Sequence, residues 1–490
     1  MNKQTNRGAQ VDNVAHTLYI HKPVSTKHKS PNKQRPHPKM MNPIEIEEQS
    51  FSEDFDQYSN SSIESIADNP SEVHRYRAQG DRVLSKFRGI IDKYDYHIGP
   101  DHPPIQTSPR KSKITDQEIE KKKELLERLD EVLLPELSLE IQGFSDLFEP
   151  SELNKAPYRQ LKTIRRRQHE LEKTIDRVLK AKREICRDAC TTSEPNDPDL
   201  EEIKSYRLYI LAYGFQVYLI PMICELFIKS YELIEEMAFS NDPPDHIMDV
   251  STARGLMLDC TAEATTEIAA IRRFIQGSDM DNIQSRWSGL VPAIEETHKA
   301  YEDLIKKVQL HPVLCRSYTP VDPSIKVAKA FLPIMKLSRL FFKKLASDPK
   351  FSNNDKRLNK FSHLPSSQLS ALGELPDVLD KVLAESHEHL ENSSITEEGM
   401  TSWELSLLVD ELQVGFRQSM IVVDYFISQI PDSDREGFPK QTRYREWFEL
   451  WNDTFSSSVS KLMQVVDPYL YEDCQCPNCL NPRPRPHQPR

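Results

Sequence analysis

Residues 208–224 read LYILAYGFQVYLIPMIC, the most apolar run in the chain, and pass directly into ELFIKSYELIEEM at residues 225–237. A membrane-spanning helix needs about 20 consecutive apolar residues. This run stops after 17, contains Gly214, Gln216 and Pro221, and continues as an amphipathic helix. It therefore reads as the buried central helix of a bundle, with no membrane span.

Working outward, composition points the same way. Only 13 of the 490 residues are glycine, and no two stand in a G-x-G arrangement. Phosphate-cradling loops are thereby excluded, because they need glycine where backbone approaches the ligand. Hydrophobic residues make up 38% and charged residues 29%, a balance that suits amphipathic helices better than buried parallel strands. The fold class expected is all-α: an elongated bundle of about nine to ten amphipathic helices with disordered N- and C-terminal tails. A net charge of −12 gives the chain no general attraction to nucleic acid. Eight cysteines in so long a chain are too few for a disulfide scaffold, and the N-terminus lacks the apolar core of a signal peptide. A cytoplasmic or nuclear location is expected.

Four regions follow from the patterning. Residues 1–40 hold eight Lys/Arg and one acid, and residues 41–72 hold nine acids and no Lys/Arg; the stretch 1–72 reads as a disordered, basic-then-acidic tail. Residues 73–190 form an N-terminal helical region. It opens with a short first helix on Val83, Phe87 and Ile90/Ile91, and a second helix starts at the capping box Thr115-Asp-Gln-Glu118 and is kinked or ended by Pro135. Its last helix carries Leu161, Ile164, Leu171, Ile175, Val178 and Ile185 at coiled-coil-like spacing, interrupted by Gln168 and Lys182. Asp197-Pro198 reads as helix cap and first helical residue, opening a bundle over residues 200–467. Within that bundle Pro333 predicts a kink, and Trp447/Phe448, Trp451, Phe455, Val459 and Leu462/Met463 form an aromatic-rich core stripe. Residues 468–490 are a Cys- and Pro/Arg-containing tail.

Chemistry-bearing motifs are sparse. Ser386-His387-Glu388-His389 sets its histidines two apart, on different faces of a helix, so a zinc-protease site is not expected. Paired acids such as Glu201/Glu202, Glu235/Glu236 and Glu295/Glu296 read as solvated helix surface. No catalytic or cofactor-binding residue is assigned. Cys474, Cys476 and Cys479 with His487 are weak metal candidates, since three thiolates and an imidazole complete a tetrahedral zinc shell; the spacing fits no standard knuckle, redox pairing or chemical modification is a further reading, and incidental thiols are the plainer one. Pro486-x-x-Pro489 has the form of a polyproline ligand for an SH3-type groove. Ser30 and Ser108 each begin an S-P-x-K sequence and are phosphorylation candidates, where a phosphate would add negative charge to a basic segment.

The second half resembles the cyclin-D-interacting protein family over about residues 205–466. The likeness runs through VYLIP (Val217–Pro221), ARGLMLDCTAEATTEIAAI (Ala253–Ile271), AKAFLPIMKLSRLFFKKLA (Ala328–Ala346), LPDVLDKVLAESHEHLE (Leu375–Glu391), LLVDEL (Leu407–Leu412) and WFELWNDTFSSSVSKLM (Trp447–Met463). The family's acidic internal insertion has no counterpart here, and its partner-binding residues do not transfer one by one. The resemblance implies a non-enzymatic adaptor or regulator that binds a D-type cyclin or a helix-loop-helix factor in cell-cycle control. A cytoskeletal or adhesion-like scaffold of the vinculin and catenin type is the alternative that many amphipathic helices also allow, and an enzyme working from polar groups buried in the bundle is a third.

Overall fold

The structure, a computed structural model, describes residues 70–95, 114–187, 197–241, 248–287, 289–310, 323–347, 359–395, 402–430 and 440–466. Among these residues the chain is all-α, with fourteen α-helices and no strand. They are α1 (Pro70–Asp95), α2 (Asp116–Arg128), α3 (Leu134–Ser145), α4 (Pro150–Lys155), α5 (Pro157–Ile185), α6 (Ser205–Tyr213), α7 (Ile220–Glu236), α8 (Val250–Gln276), α9 (Asp279–Ser285), α10 (Leu290–Leu310), α11 (Pro323–Ser347), α12 (Ser366–Ile395), α13 (Ser402–Gln429) and α14 (Lys440–Val466). The expected tails, 1–72 up to Pro70 and 468–490, lie outside the described residues.

One helix is longer than the sequence predicts, and the apolar run continues into its amphipathic extension as expected, both for one reason. Pro135 was expected to kink or end its helix, yet the chain runs from α2 into α3 through a π-helical turn at Leu129–Leu133, with Leu134 N–H donating to Leu129 O. The same arrangement joins α6 to α7: a π turn at Gly214–Leu219, Ile220 N–H donating to Phe215 O, and Pro221 just beyond. Proline inside an α-helix removes a donor and crowds the carbonyl four residues back. A π turn shifts the bonding to the fifth residue back, which makes room for the ring. Pro333 lies inside α11, which continues through it. The first helix is also not short: α1 has 26 residues.

Two hydrophobic cores result. The first gathers α1 to α8 around Phe87, Phe144, Phe148 and Phe227, with Phe144 and Phe148 at 5.0 Å and Phe144 and Phe227 at 6.0 Å between centroids. The second gathers α9 to α14 around Phe341, Phe342, Phe416, Phe448, Trp451 and Phe455, with Phe416 and Phe455 at 4.5 Å. The aromatic stripe of α14 is thus core, and Trp451 also donates its indole N–H to Leu337 O at 2.8 Å. Apart from Tyr206, the cores change over between Ile275 and Met280; the other buried apolar residues of 203–275 share their core with 83–186, so the region beginning at 200 is not packed apart from the one ending at 190.

The coiled-coil-like positions of α5 are all buried, against α1 and α3 of the same chain. Gln168 interrupts that face and satisfies only half of its amide there: it donates to Val83 O at 3.1 Å, while its side-chain oxygen is buried with no partner among the described residues. The stretch Pro198–Glu236 is long and apolar enough by length and composition to cross a membrane; half of its most apolar window is buried inside the fold.

Candidate functional site

The changeover between the cores is built from charge. Asp197 accepts from Ser205 N–H at 2.7 Å and from Ser366 N–H at 2.8 Å, so one carboxylate caps the starts of both α6 and α12. Asp197 and Pro198 stand as cap and first residue of a helical segment, as expected, but the segment is short. It is a 3₁₀ turn, Pro198–Ile203, in which Glu201 takes φ 49°, a conformation unfavourable for a residue with a Cβ.

Lys204 follows that turn, is 0% exposed, and donates to the Asp279 carboxylate at 2.8 Å and to the Ser362 carbonyl. Asp279, 1% exposed, also accepts from Arg207 at 3.3 Å and from Ser362 N–H and Oγ at 2.9 and 2.8 Å. Arg207 turns its other amino group to the carbonyls of Ile275 and Gly277, at 3.0 and 3.1 Å. It thereby serves the C-terminus of α8, where carbonyls lack helical partners and the dipole favours a cation. Burial lowers the Arg207 pKa, and the Asp279 charge opposes that shift. Two cations and one anion are thus desolvated together, an arrangement that holds only while each has its partner.

Beside the seam, Tyr209, Tyr213 and Tyr218 follow α6 into its π turn, with centroids 6.4 Å apart in the first pair and 5.8 Å in the second. Glu267 on α8 is buried, and burial pushes its carboxyl from 4.5 up to about 7, with the Arg273 charge opposing. The neutral carboxyl is the form the fold favours. Its contribution is fully present below about pH 4.5 and declines as pH rises to about 7, where the unfolded chain has ionised and the folded carboxyl still resists. Glu267→Gln stays neutral throughout. It is expected to gain about 2 kcal/mol more stability at about pH 8 than at about pH 5, read from denaturant unfolding at the two values.

The outer face of α13 carries the clearest surface for a partner. Leu407, Val414 and Ile421 stand seven residues apart and are 49%, 46% and 58% exposed. The opposite face, with Leu405, Val409, Leu412 and Phe416, is buried. Glu411 pairs with Lys381 of α12 at 2.9 Å and Asp424 with Arg445 of α14 at 3.1 Å, so the stripe runs along the ridge between those neighbours. Asp410 is also exposed on it.

Of the residues singled out from the sequence, Ser30, Ser108, Cys474, Cys476, Cys479 and His487 lie outside the described residues, as does Pro486-x-x-Pro489. No group of three or more His, Cys, Asp or Glu placed to hold a metal ion occurs among the described residues; His387 instead packs 5.3 Å from the Tyr301 ring. The acidic pairs are not uniformly solvated surface. Glu235 is buried, and Glu236 accepts from Met248 N–H at 2.9 Å. Burial raises the thiol pKa of Cys186 to about 12 and of Cys260 to about 11, which leaves both as poor nucleophiles at neutral pH. Sequence reading missed Lys204, Arg207 and Asp279, which look like ordinary helix-surface charges; the available signal was Lys204-x-x-Arg207 at the entrance of the most apolar run.

Residues 122–276 match a family described as Domain of unknown function (DUF8723), and residues 278–464 match a second, Domain of unknown function (DUF8721). The two matches meet at Gly277, inside the polar seam. No curated protein and no solved structure matches the chain.

Proposed function

We propose that this protein is a non-enzymatic intracellular adaptor or regulator, and that the exposed face of α13 receives one amphipathic helix of a partner protein. The observation that carries the reading is the row Leu407, Val414 and Ile421, three exposed apolar side chains at heptad spacing on one helix. Three apolar side chains spaced by about 10 Å match the repeat with which a helix lays its own apolar stripe into a neighbour. Exposed Asp410 and Arg417 stand in the same row, and Glu411 and Asp424 beside it are paired with Lys381 and Arg445, so the rim suits a partner helix of mixed charge. The stretch Pro198–Glu236 acts in this reading as a buried bundle helix, and the protein works in the cytoplasm or nucleus.

The partner classes implied by the family resemblance are a D-type cyclin and a helix-loop-helix factor, and the finer proposal is that one of them supplies this helix. Leu407→Asp, Val414→Asp and Ile421→Asp together are expected to weaken binding of that purified partner at least tenfold, measured by calorimetry on the full chain. Since all three side chains are solvent-facing, the melting temperature should change little. Undiminished binding by the triple variant would remove α13 as the docking face. Co-sedimentation with actin filaments, with neither partner bound, would favour the cytoskeletal alternative.

A further inference from the structure

A second face of the molecule is defined by charge. On α5, Arg159, Arg166, Lys173 and Lys180 stand seven residues apart on the exposed side, and Arg187 continues the spacing in the turn beyond the helix. They lie opposite the buried Leu161, Ile164, Leu171, Ile175 and Val178. Arg166 has Glu170 at 3.7 Å. Arg159, Lys173, Lys180 and Arg187 have no acidic partner among the described residues, and Lys162 adds another exposed cation beside Arg159 and Arg166. The result is a fixed basic rail about 42 Å long on a chain whose net charge is −12.

The complementary charge is close in the chain. Residues 45–68 contain Glu45, Glu47, Glu48, Glu53, Asp54, Asp56, Glu64 and Asp68 and no Lys or Arg. They immediately precede α1, and α1 runs parallel to α5: Arg75 lies 4.1 Å over the Tyr158 ring, Gln168 reaches Val83 O, and Tyr94 donates to Asp176 at 3.0 Å. The acidic stretch thus leaves the fold at the end of α5 where the rail begins. Twenty-four residues can span about 80 Å when extended, ample for the rail's length.

We infer that residues 45–68 dock on the basic rail of α5 within the same chain. Exposed ion pairs are individually weak. Here a row of fixed cations meets a tethered row of anions, so each contact raises the effective concentration for the next. The rail is already ordered by the helix. The acidic segment would then cover α5 against other anionic partners, such as an acidic protein surface or an anionic membrane, until it is displaced. This inference does not depend on the docking role of α13.

Carbodiimide cross-linking of the full chain, followed by peptide mass spectrometry, tests it. Amide links are expected from Glu53, Asp54 or Asp56 to Lys162, Lys173 or Lys180, falling at least fivefold in about 0.5 M salt, where the screening length shrinks to a few ångström. Lys162→Glu, Lys173→Glu and Lys180→Glu together should abolish them, as should Glu53→Lys, Asp54→Lys and Asp56→Lys. Combining both sets should restore cross-linking with the two reactive groups exchanged, a recovery that a folding defect would not give. Links confined to lysines of residues 1–40 would overturn the inference. Phosphatidylserine vesicles bound equally by the natural chain and by the acid-reversed chain would also overturn it.

Discussion

Asp279→Ala is expected to lower the melting temperature by about 10 °C or more. The substitution removes the only carboxylate among the described residues that both Lys204 and Arg207 reach, and leaves two cations buried at 0% and 2% exposure. Breaking a buried ion pair from one side costs about 3–5 kcal/mol, and each kcal/mol shifts the midpoint of a domain of about 200 residues by about 2–4 °C. Asp279→Asn should be nearly as damaging: an amide can still accept from Ser362 but carries no charge. A second variant isolates the cause. Adding Lys204→Met to Asp279→Ala should recover part of the loss, because one of the stranded charges is then gone. If the double variant is no more stable than the single one, the charge is not what Asp279 supplies, and its hydrogen bonds from Ser362 are.

Gly80→Ala is expected to destabilise the first core by about 3 kcal/mol, although alanine is the better helix former by about 1 kcal/mol. A Cβ at residue 80 would lie 1.7 Å from the carbonyl oxygen of Phe239, which is backbone and cannot rotate away. That oxygen belongs to the exit of α7, which is fixed from three sides. Ala238 takes φ 56°, Tyr76 packs edge-on to Phe239 at 5.7 Å, and Asp81 accepts from Asn241 N–H at 3.0 Å. The whole of α1 must therefore move to admit one methyl group. Gly89, in the same helix, has nothing within 4 Å of its Cβ position. Gly89→Ala should accordingly stabilise by several tenths of a kcal/mol, and denaturant unfolding of the two variants separates close approach from helix propensity.

Much of the fold was legible because amphipathic spacing is a direct record of burial. Leu161, Ile164, Leu171, Ile175, Val178 and Ile185 lie inside as their spacing requires, and so do Phe448, Trp451, Phe455, Val459 and Leu462. Other features left no such record. Whether Pro135 ends a helix depends on the hydrogen-bond register of the turn before it, and an apolar pattern does not encode that register. The polar seam was hidden for a related reason: Lys204, Arg207 and Asp279 become buried only through contacts from residues far along the chain, such as Ser362. On α13 both faces carry apolar residues, so periodicity could not say that Leu407, Val414 and Ile421 are the ones left outside. The metal-like and phosphorylation candidates lie outside the described residues, and the sequence alone still speaks for them.

The π turn between α6 and α7 also sets the phase of the longest apolar stretch. Before it, Tyr206 packs in the second core while Leu208 and Leu211 pack in the first; after it, Ile223, Phe227, Leu233 and Ile234 all pack in the first. A surplus residue in one turn offsets the helix by about 100° relative to an uninterrupted continuation. Losing a single residue from 214–219 would therefore rotate every downstream side chain away from its neighbours and return Pro221 to a register that does not tolerate it. The alignment of the two cores is counted out in residues along this one helix, and its length is under tighter constraint than the identity of most side chains on it.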